Sequence, residues 1–181
     1  QPLENYAISK WEAELALKEI GEKTGLEFVV IRPPLVYGPG AKGNMARLIK
    51  LVRLGLPLPF GAVKNKRSLI GLENLIDIIA RCIDHPAVAR QVFLVTDGQD
   101  ISTPELIKYL SMLMCRQTKI FPVPISFLKV CSSFLGKKVE IDRLIGSLQI
   151  DDTHTRKTLN WSPRISLEDG LKSVVDDCNN T

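Results

Sequence analysis

The distribution of hydrophobic and polar residues along the chain predicts alternating helices and strands. Residues 6–23 carry Trp11 and Leu15 among alanine, glutamate and lysine residues, which is typical of a helix, and Gly25 follows its predicted end. The next segment, LEFVVIRPP (26–34), is an apolar run rich in β-branched residues and stopped by two prolines. It is therefore predicted to be a strand of the kind that is buried on both faces.

The rest of the chain continues this alternation with more linkers that contain proline. The predicted elements are, in order, a loop at 34–44, a helix at 44–55, a mixed proline-bearing segment at 56–72, a helix at 73–85, a strand at 91–98, a helix opening near 102, a helix ending the apolar segment 120–136, and a short strand with two short helices within 148–178. Ser102 and Glu105 have the spacing of a capping box, which marks a helix start. The character of the chain changes between Gly38 and Gly43.

Composition and charge exclude several classes of protein. Hydrophobic residues make up 45% of the 181 residues and charged residues 24%, as in a globular protein with a real core. The net charge of +4 is spread along the chain, without the basic stripe that binds nucleic acid. It suits an anionic small-molecule substrate, although solubility alone explains it too. No apolar stretch approaches the ~20 residues of a membrane helix, and the N-terminus lacks the apolar region of a signal peptide.

The cysteine and histidine residues do not form a recognisable site in the sequence. The cysteines are widely spaced and form no CxxC, so reduced thiols in a cytosolic protein are expected. His85 and His154 have no partners at the spacing of metal ligands, and no metal is expected. Asp151 and Asp152 are adjacent, so their side chains diverge, and a helix cap is predicted in preference to paired carboxylate chemistry.

Tyr6 and Lys10 form a candidate catalytic pair. Residues four apart lie on one face of a helix, so both side chains can address one point in space. A nearby ammonium group stabilises a phenolate and lowers the pKa of the tyrosine, as general acid–base catalysis requires. Taken by itself, the pair favours two exposed residues on a helix surface, because this spacing often arises by chance.

The segments that follow support the catalytic interpretation of Tyr6 and Lys10. The YxxxK helix is followed by RPPLVYGPG, then KRSLIGLENL, and finally LNWSPRISLEDGL. This ordered combination covers essentially the whole chain and closely resembles the extended short-chain dehydrogenase/reductase family, of the NAD-dependent epimerase/dehydratase type. Members of that family include nucleotide-sugar epimerases, 4,6-dehydratases and ketoreductases.

The resemblance implies an α/β fold, with the C-terminal part of a Rossmann-type parallel sheet and a small mixed α/β substrate-binding domain. Residues 1–37 would be the remnant of the NAD(P)-binding domain. Residues 38–181 would form mainly the substrate domain and return one strand or helix to the first. The family's phosphate-binding loop would precede the helix that carries Tyr6, and the one GxGxxG of this sequence, at residues 38–43, lies after that helix in the YGPG segment. The chain is therefore expected to be the C-terminal portion of an enzyme of about 300 residues, with a catalytic Ser or Thr upstream.

The resemblance also assigns roles to individual residues. Tyr6 would be the acid–base at a sugar hydroxyl, Lys10 would hold the nicotinamide ribose of NAD or NADP, and Pro33 would back the nicotinamide or simply end its strand. Arg67 and Arg143 would bind the diphosphate of the substrate, with a solvated helix charge as the alternative for Arg143. The residues that would line the nucleotide base are Asn44, Leu58, Pro59 and Phe60, of which Phe60 fits the core equally well.

Three departures from the common family pattern bear on the substrate. Leu35 stands where many hexose epimerases have Asn, Ser68 replaces a common Asp, and Gly71 replaces a His or Ser. The pattern looks closer to the branch that acts on UDP-N-acetylhexosamines or their 4-keto derivatives in bacterial surface-polysaccharide synthesis. The predicted activity is a 4-epimerase or 4-ketoreductase. The alternatives are a 4,6-dehydratase or a non-catalytic relative.

A homodimer is the partner that the resemblance implies. In the family, the helix that carries the YxxxK pair packs against its twin in the dimer. Ala7, Ala13 and Ala16 would permit this close approach. Packing of the same alanines on the sheet within one chain is the alternative.

Overall fold

The computed structural model describes the backbone of residues 5–41, 43–134 and 136–180, and the side chains from residue 7 to residue 178 within those ranges. The elements, in chain order, are α1 (Asn5–Thr24), β1 (Val29–Arg32), β2 (Leu35–Tyr37), α2 (Gly43–Arg53), β3 (Arg67–Gly71), α3 (Leu72–Asp84), β4 (Gln91–Leu94), β5 (Asp100–Ile101), α4 (Thr103–Leu113), α5 (Ile125–Phe134), α6 (Lys138–Ile145), α7 (Thr153–Leu159) and α8 (Leu167–Asn180).

The strands form two small sheets in which parallel pairing dominates. Strand β1 pairs in parallel with β4, from Val29 opposite Gln91 to Arg32 opposite Leu94. Strand β2 pairs in parallel with β3, and β5 adds an antiparallel edge to β3. The predicted α/β class with parallel strands is confirmed. The division of the chain at residue 37 stays a prediction.

Helix α1 ends and turns toward β1 as the sequence predicts. Gly25 has φ +78° and its N–H donates to the carbonyl of Gly21 over 3.1 Å, a left-handed end that glycine adopts without strain. Gly21 allows close approach, because a Cβ there would lie 2.8 Å from Phe28 Cε1. Arg32 at the end of β1 forms a bidentate ion pair with Glu14 in the middle of α1, so the carboxyl end of the strand is also held against the helix.

The burial of β1 differs from the prediction. Val29, Val30 and Ile31 are only half-buried, although their sequence is typical of a strand covered on both faces. Within the described residues β1 pairs with β4 alone, and Val92 of β4 is exposed. The apolar run therefore forms the predicted strand but has packing on only part of its surface.

Two hydrophobic clusters form the core. The larger one joins α2, α4 and α8 with the β2–β3 sheet, around residues such as Leu48, Ile107 and Leu171. The smaller one packs α3, β4 and the residues after α7 together, around Ile78, Phe93 and Trp161. The β1 side chains Val29 and Ile31 pack against this smaller cluster.

Three local predictions need correction. Strand β2 lies inside the predicted loop 34–44, because Leu35, Val36 and Tyr37 pair with residues of β3 that come 34 positions later in the sequence. Helix α6 was not predicted, since its eight residues carry only a short periodic pattern. The last helix is longer than the short helices predicted within 148–178, because α8 runs for 14 residues and ends at Asn180.

The remaining polar predictions have mixed outcomes. Asp151 accepts the N–H of Thr153 over 2.9 Å at the start of α7, whereas Asp152 makes no capping bond and instead pairs with Arg156 over 2.8 Å. The four cysteines are free thiols. In the part of the chain that the structure describes, no three metal-ligating residues cluster, and His154 stacks on Phe93. No described helix is both long and apolar enough to cross a membrane.

Candidate functional site

A cavity of about 600 Å³ lies between the β2–β3 sheet, helix α2, the start of α4 and helix α6. Its wall is mainly apolar, with a few charged and polar groups, as is typical of a small-molecule site. The lining residues are Leu35, Gly43, Asn44, Met45, Arg47, Leu48, Arg67, Leu69, Ile101, Ser102, Thr103, Leu106, Val139, Glu140, Arg143 and Leu144. The sequence predictions Asn44, Arg67 and Arg143 are thus brought together in one cavity.

Arg67 is held at the C-terminal end of helix α6. Its Nη1 donates to the carbonyl of Arg143 and, over 3.1 Å, to the carbonyl of Gly146. The last carbonyls of a helix have no partner within the helix and carry partial negative charge, so a guanidinium is well placed there. This contact fixes where the guanidinium points and joins β3 to α6.

Asn65 binds the same C-terminal end of α6. It is buried, and its Nδ2 lies within 3.1 Å of Thr103 Oγ1 and 3.0 Å of the carbonyls of Leu144 and Gly146. Its Oδ1 accepts the N–H of Thr103 over 2.9 Å. Asn65 therefore holds the start of α4 against the end of α6. The only sequence signal for it is that it lies two residues before Arg67, on the same side of an extended segment.

The electrostatics of the cavity favour an anion. Burial lowers the pKa of Arg67, and the nearby guanidinium of Arg143 lowers it further. Two positive charges that repel each other in a partly apolar cavity are stabilised by a ligand with negative charge. At the rim, Arg47 and Glu140 form an ion pair of 3.1 Å that joins α2 to α6.

The structure does not bring the predicted acid–base pair, Tyr6 and Lys10, to this cavity. The side chain of Tyr6 lies outside the described part of the chain. Lys10 is exposed on α1 and does not line the cavity. Pro33 is exposed at the carboxyl end of β1, the end at which α/β folds bind ligands. The roles predicted for these three residues stay predictions.

The residues predicted to line a nucleotide base lie elsewhere, apart from Asn44. Leu58 and Phe60 are buried in the larger core, and Leu58 bonds to the backbone on either side of Ile120. Neither they nor Pro59 lines the cavity. The structure thus places Leu58 and Phe60 in packing positions, and their contact with a base stays a prediction.

The three departures from the family pattern have different structural settings. Leu35 lines the cavity. Ser68 is buried on the other side of β3, where its hydroxyl donates to Asp100 over 2.6 Å and accepts the N–H of Ile150 over 2.9 Å. Gly71 donates its N–H to the carboxylate of Asp97. Only Leu35 can therefore act on a ligand in this cavity.

A polar network around the Asp97 carboxylate was not predicted from the sequence. The hydroxyl of Tyr37 donates to Asp97 over 2.6 Å, and the Asn74 amide donates to the same carboxylate over 2.7 Å. Asn74 also donates to the carbonyl of Ile165 and accepts the N–H groups of Arg164 and Ile165. Burial, and then the bond to Asp97, raise the pKa of Tyr37. The network joins β2, α3, the loop after β4 and the segment before α8.

Comparison with known proteins places this chain beside sugar epimerases. Residues 1–95 match the NAD dependent epimerase/dehydratase family. The chain is 47% identical over 175 residues to the UDP-glucose 4-epimerase of Vibrio cholerae, which covers 96% of this chain and 53% of that protein. It is 25% identical over 188 residues to the N-acetyl-alpha-D-glucosaminyl-diphospho-ditrans,octacis-undecaprenol 4-epimerase of Escherichia coli O157:H7, over 96% of this chain and 56% of that protein. The chain spans about half the length of these curated relatives.

A solved structure supports the same grouping at the level of the fold. The UDP-glucose 4-epimerase of Thermus thermophilus, in complex with NAD, superposes with a TM-score of 0.77 over 100% of this chain and 56% of that one, at 19% identity. The resemblance predicted from the motifs is confirmed by the family match, which extends over more than half of the chain. The chain belongs to the NAD dependent epimerase/dehydratase family.

Proposed function

We propose that this chain is the substrate-binding part of an NAD(P)-dependent 4-epimerase that acts on a nucleoside-diphosphate sugar. The observation that carries the proposal is the cavity in which Arg67 and Arg143 lie close enough for one guanidinium to lower the pKa of the other. A diphosphate would neutralise both charges, and the planar fork of arginine matches its oxygens. Both relatives described above are named as 4-epimerases, which favours epimerisation over reduction or dehydration.

Tyr6 and Lys10 would perform the proton transfer. Tyr6 would remove the proton from the sugar hydroxyl at C4 and later return it. Lys10, one helical turn away, would stabilise the phenolate and so bring the pKa of Tyr6 toward neutral pH. Lys10 is exposed on α1 and therefore accessible to a ligand.

The described residues fit one end of a dinucleotide. Pro33 is exposed at the carboxyl end of β1, and Lys10 is exposed on α1, one helical turn before the Glu14 that pairs with Arg32 at that end of the strand. Lys10 would hold the ribose next to the nicotinamide, and Pro33 would back the ring. The glycine-rich loop that binds the phosphates in the family would precede the helix of Tyr6, so the GxGxxG at residues 38–43 is not assigned to it. When bound, NAD(P) supplies the hydride acceptor and donor that the reaction needs.

The substrate would be a UDP-N-acetylhexosamine used in bacterial surface-polysaccharide synthesis. Leu35, which lines the cavity, offers an apolar surface where an amide side chain would favour a hydroxyl. The Escherichia coli relative is named for a substrate with an N-acetylglucosaminyl diphosphate. A 4-ketoreductase of the same sugars is the second candidate, because the same pair would serve a single reduction.

A homodimer through α1 is part of the proposal. The exposed apolar residues Leu17 and Ile20 lie with Ala13 on one side of α1, while Trp11 and Leu15 lie on another. Apolar residues on two sides suit a helix that packs on its own sheet and on a partner helix.

The test uses the intact protein with UDP-GlcNAc, UDP-GalNAc and 4-keto sugar nucleotides. Interconversion of the first two without net use of NAD(P)H is expected. Tyr6→Phe is expected to abolish it, whereas the matched Tyr109→Phe change on α4 leaves it intact. Net consumption of NAD(P)H with a 4-keto sugar as the only turnover would replace the epimerase by the reductase. Turnover by Tyr6→Phe at the wild-type rate would exclude the proposed mechanism.

Substitution of Arg143 tests the diphosphate site separately. Arg143→Ala is expected to raise KM for the UDP-sugar at least tenfold, which corresponds to about 1.4 kcal/mol. Its thermal unfolding should match wild type, because the side chain is exposed. Arg81→Ala, an exposed arginine on α3, is the control and should leave KM unchanged. An unchanged KM in Arg143→Ala would remove Arg143 from the site.

A further inference from the structure

Helix α5 exposes the face that a surface helix normally keeps polar. Its buried residues, Leu128 and Ser132, lie on one side. Phe127, Val130 and Phe134 lie on the opposite side at the spacing i, i+3, i+7, with 61%, 54% and 88% of their surface exposed. An exposed apolar stripe of this kind marks an interaction surface.

Helix α2 shows the ordinary arrangement in the same protein. It buries Met45, Leu48 and Val52, and its exposed side carries Arg47 and Arg53. On the corresponding exposed side, α5 has phenylalanines where α2 has arginines.

The segment that contains α5 is basic up to Glu140 in the first turn of α6. Residues 106–139 contain six Lys or Arg and no Asp or Glu, although the whole chain has a net charge of only +4. Lys129 of α5 and Lys137 and Lys138 at the start of α6 are all exposed. An external anionic surface would attract these three lysines, while Glu140 is paired at the rim of the cavity.

These features favour a lipid surface over a second copy of the chain. Two copies that paired through α5 would bring Lys129, Lys137 and Lys138 against the same lysines. The exposed parts of Phe127 and Phe134 together offer roughly 300 Å², less than half of the ~800 Å² per partner of a stable protein interface. Phenylalanines with flanking lysines are the composition of helices that lie in the interface of an anionic membrane.

We propose that the α5 stripe (Phe127, Val130 and Phe134), with Lys129, Lys137 and Lys138 beside it, docks this protein on the surface of a membrane that contains anionic lipids. The phenylalanines enter the boundary between head groups and acyl chains, and the ammonium groups contact lipid phosphates. Helix α6 begins at this surface, and its residues Val139 and Arg143 line the candidate substrate cavity. Docking therefore holds the cavity within one short helix of the head groups.

Helix α3 provides a matched control within the same chain. Ile76 and Ile83 are 56% and 76% exposed and have the same seven-residue spacing as Phe127 and Phe134. The exposed charges near the two ends of α3 are Glu73, Arg81 and Asp84, a net negative charge that an anionic membrane would not attract. Their substitution by serine removes a comparable exposed apolar surface without touching the α5 stripe.

The experiment measures co-sedimentation of the intact protein with vesicles of phosphatidylglycerol and phosphatidylcholine, and with vesicles of phosphatidylcholine alone. Binding to the anionic vesicles is expected, with at least tenfold less on phosphatidylcholine and a steep loss with added salt. The double change Phe127→Ser, Phe134→Ser is expected to reduce the partition coefficient at least tenfold, as is the triple change of Lys129, Lys137 and Lys138 to Gln. The double change Ile76→Ser, Ile83→Ser should stay within twofold of wild type.

Four outcomes would overturn the proposal. The first three are no sedimentation of the wild type with vesicles, equal binding to both kinds of vesicle, and an equal loss of binding in the α3 control. The fourth is self-association without vesicle binding, in which the wild type forms dimers and the phenylalanine variant does not. Circular dichroism and thermal unfolding of each variant confirm that the fold is intact. Turnover of a water-soluble UDP-sugar by the variants stays at the wild-type level, so the membrane test and the test of the 4-epimerase activity fail independently.

Discussion

Replacement of Asn74 by alanine tests whether the polar network around Asp97 holds the two hydrophobic clusters of the core together. Asn74 is 1% exposed and makes four hydrogen bonds, to Asp97 over 2.7 Å, to the carbonyl of Ile165 over 2.9 Å, and from the N–H groups of Arg164 and Ile165 over 3.0 and 3.1 Å.

The magnitude follows from the partners that remain. A neutral hydrogen bond contributes about 1 kcal/mol net and one to a charged group about 1.5–3 kcal/mol. Arg164 is exposed, so solvent can replace part of what its N–H loses. We expect Asn74→Ala to lower the free energy of unfolding by about 3 kcal/mol. Glu73→Gln, an exposed change on the same helix, should cost less than about 1 kcal/mol.

Asn74→Asp gives a pH signature that a general packing defect would not give. The new carboxylate would face Asp97, and both burial and the like charge would raise its pKa in the folded state. The variant should therefore be more stable relative to wild type at pH 5 than at pH 8, because the protonated form can still donate to Asp97.

The assay is urea denaturation followed by tryptophan fluorescence, since Trp161 is buried in the smaller core and donates to Asp77 over 2.7 Å. A loss below 1 kcal/mol in Asn74→Ala would refute the reasoning. So would an equal loss at both pH values in Asn74→Asp.

Two further predictions concern Tyr37. Burial and the bond to Asp97 raise the pKa of the Tyr37 phenol above its usual value near 10, so its contribution to stability is complete below pH 10 and falls as the pH rises. Between pH 9 and 11 the wild type should lose about 1.4 kcal/mol more than Tyr37→Phe in urea denaturation, and Tyr109→Phe should lose as much as wild type; equal losses in wild type and Tyr37→Phe would contradict this. A Cβ at Gly170 in α8 would lie 2.8 Å from Tyr37 Cε2. Gly170→Ala should therefore lower the stability by about 1–3 kcal/mol although alanine favours helices, and a rise in Tm would contradict the proposed clash.

The sequence by itself determined the elements with strong local signals. The capping box of Ser102 and Glu105 starts α4 as predicted, with both bonds present. Gly25 ends α1, and the two prolines end β1. These features depend on contacts between residues a few positions apart, which the order of residues alone specifies. The family membership also followed from motifs in the correct order.

The tertiary structure decided which of the predicted residues share a site. Arg67 and Arg143 are 76 positions apart, and they meet because Arg67 and Asn65 bind the free carbonyls at the end of a helix that the sequence pattern did not predict. Phe60 fitted a base-binding wall and a core position equally well, and the structure places it in the core. Burial and long-range hydrogen bonds depend on how distant segments pack, and local patterns carry no information about that packing. For the same reason only the folded chain shows that the apolar stripe of α5 faces outward.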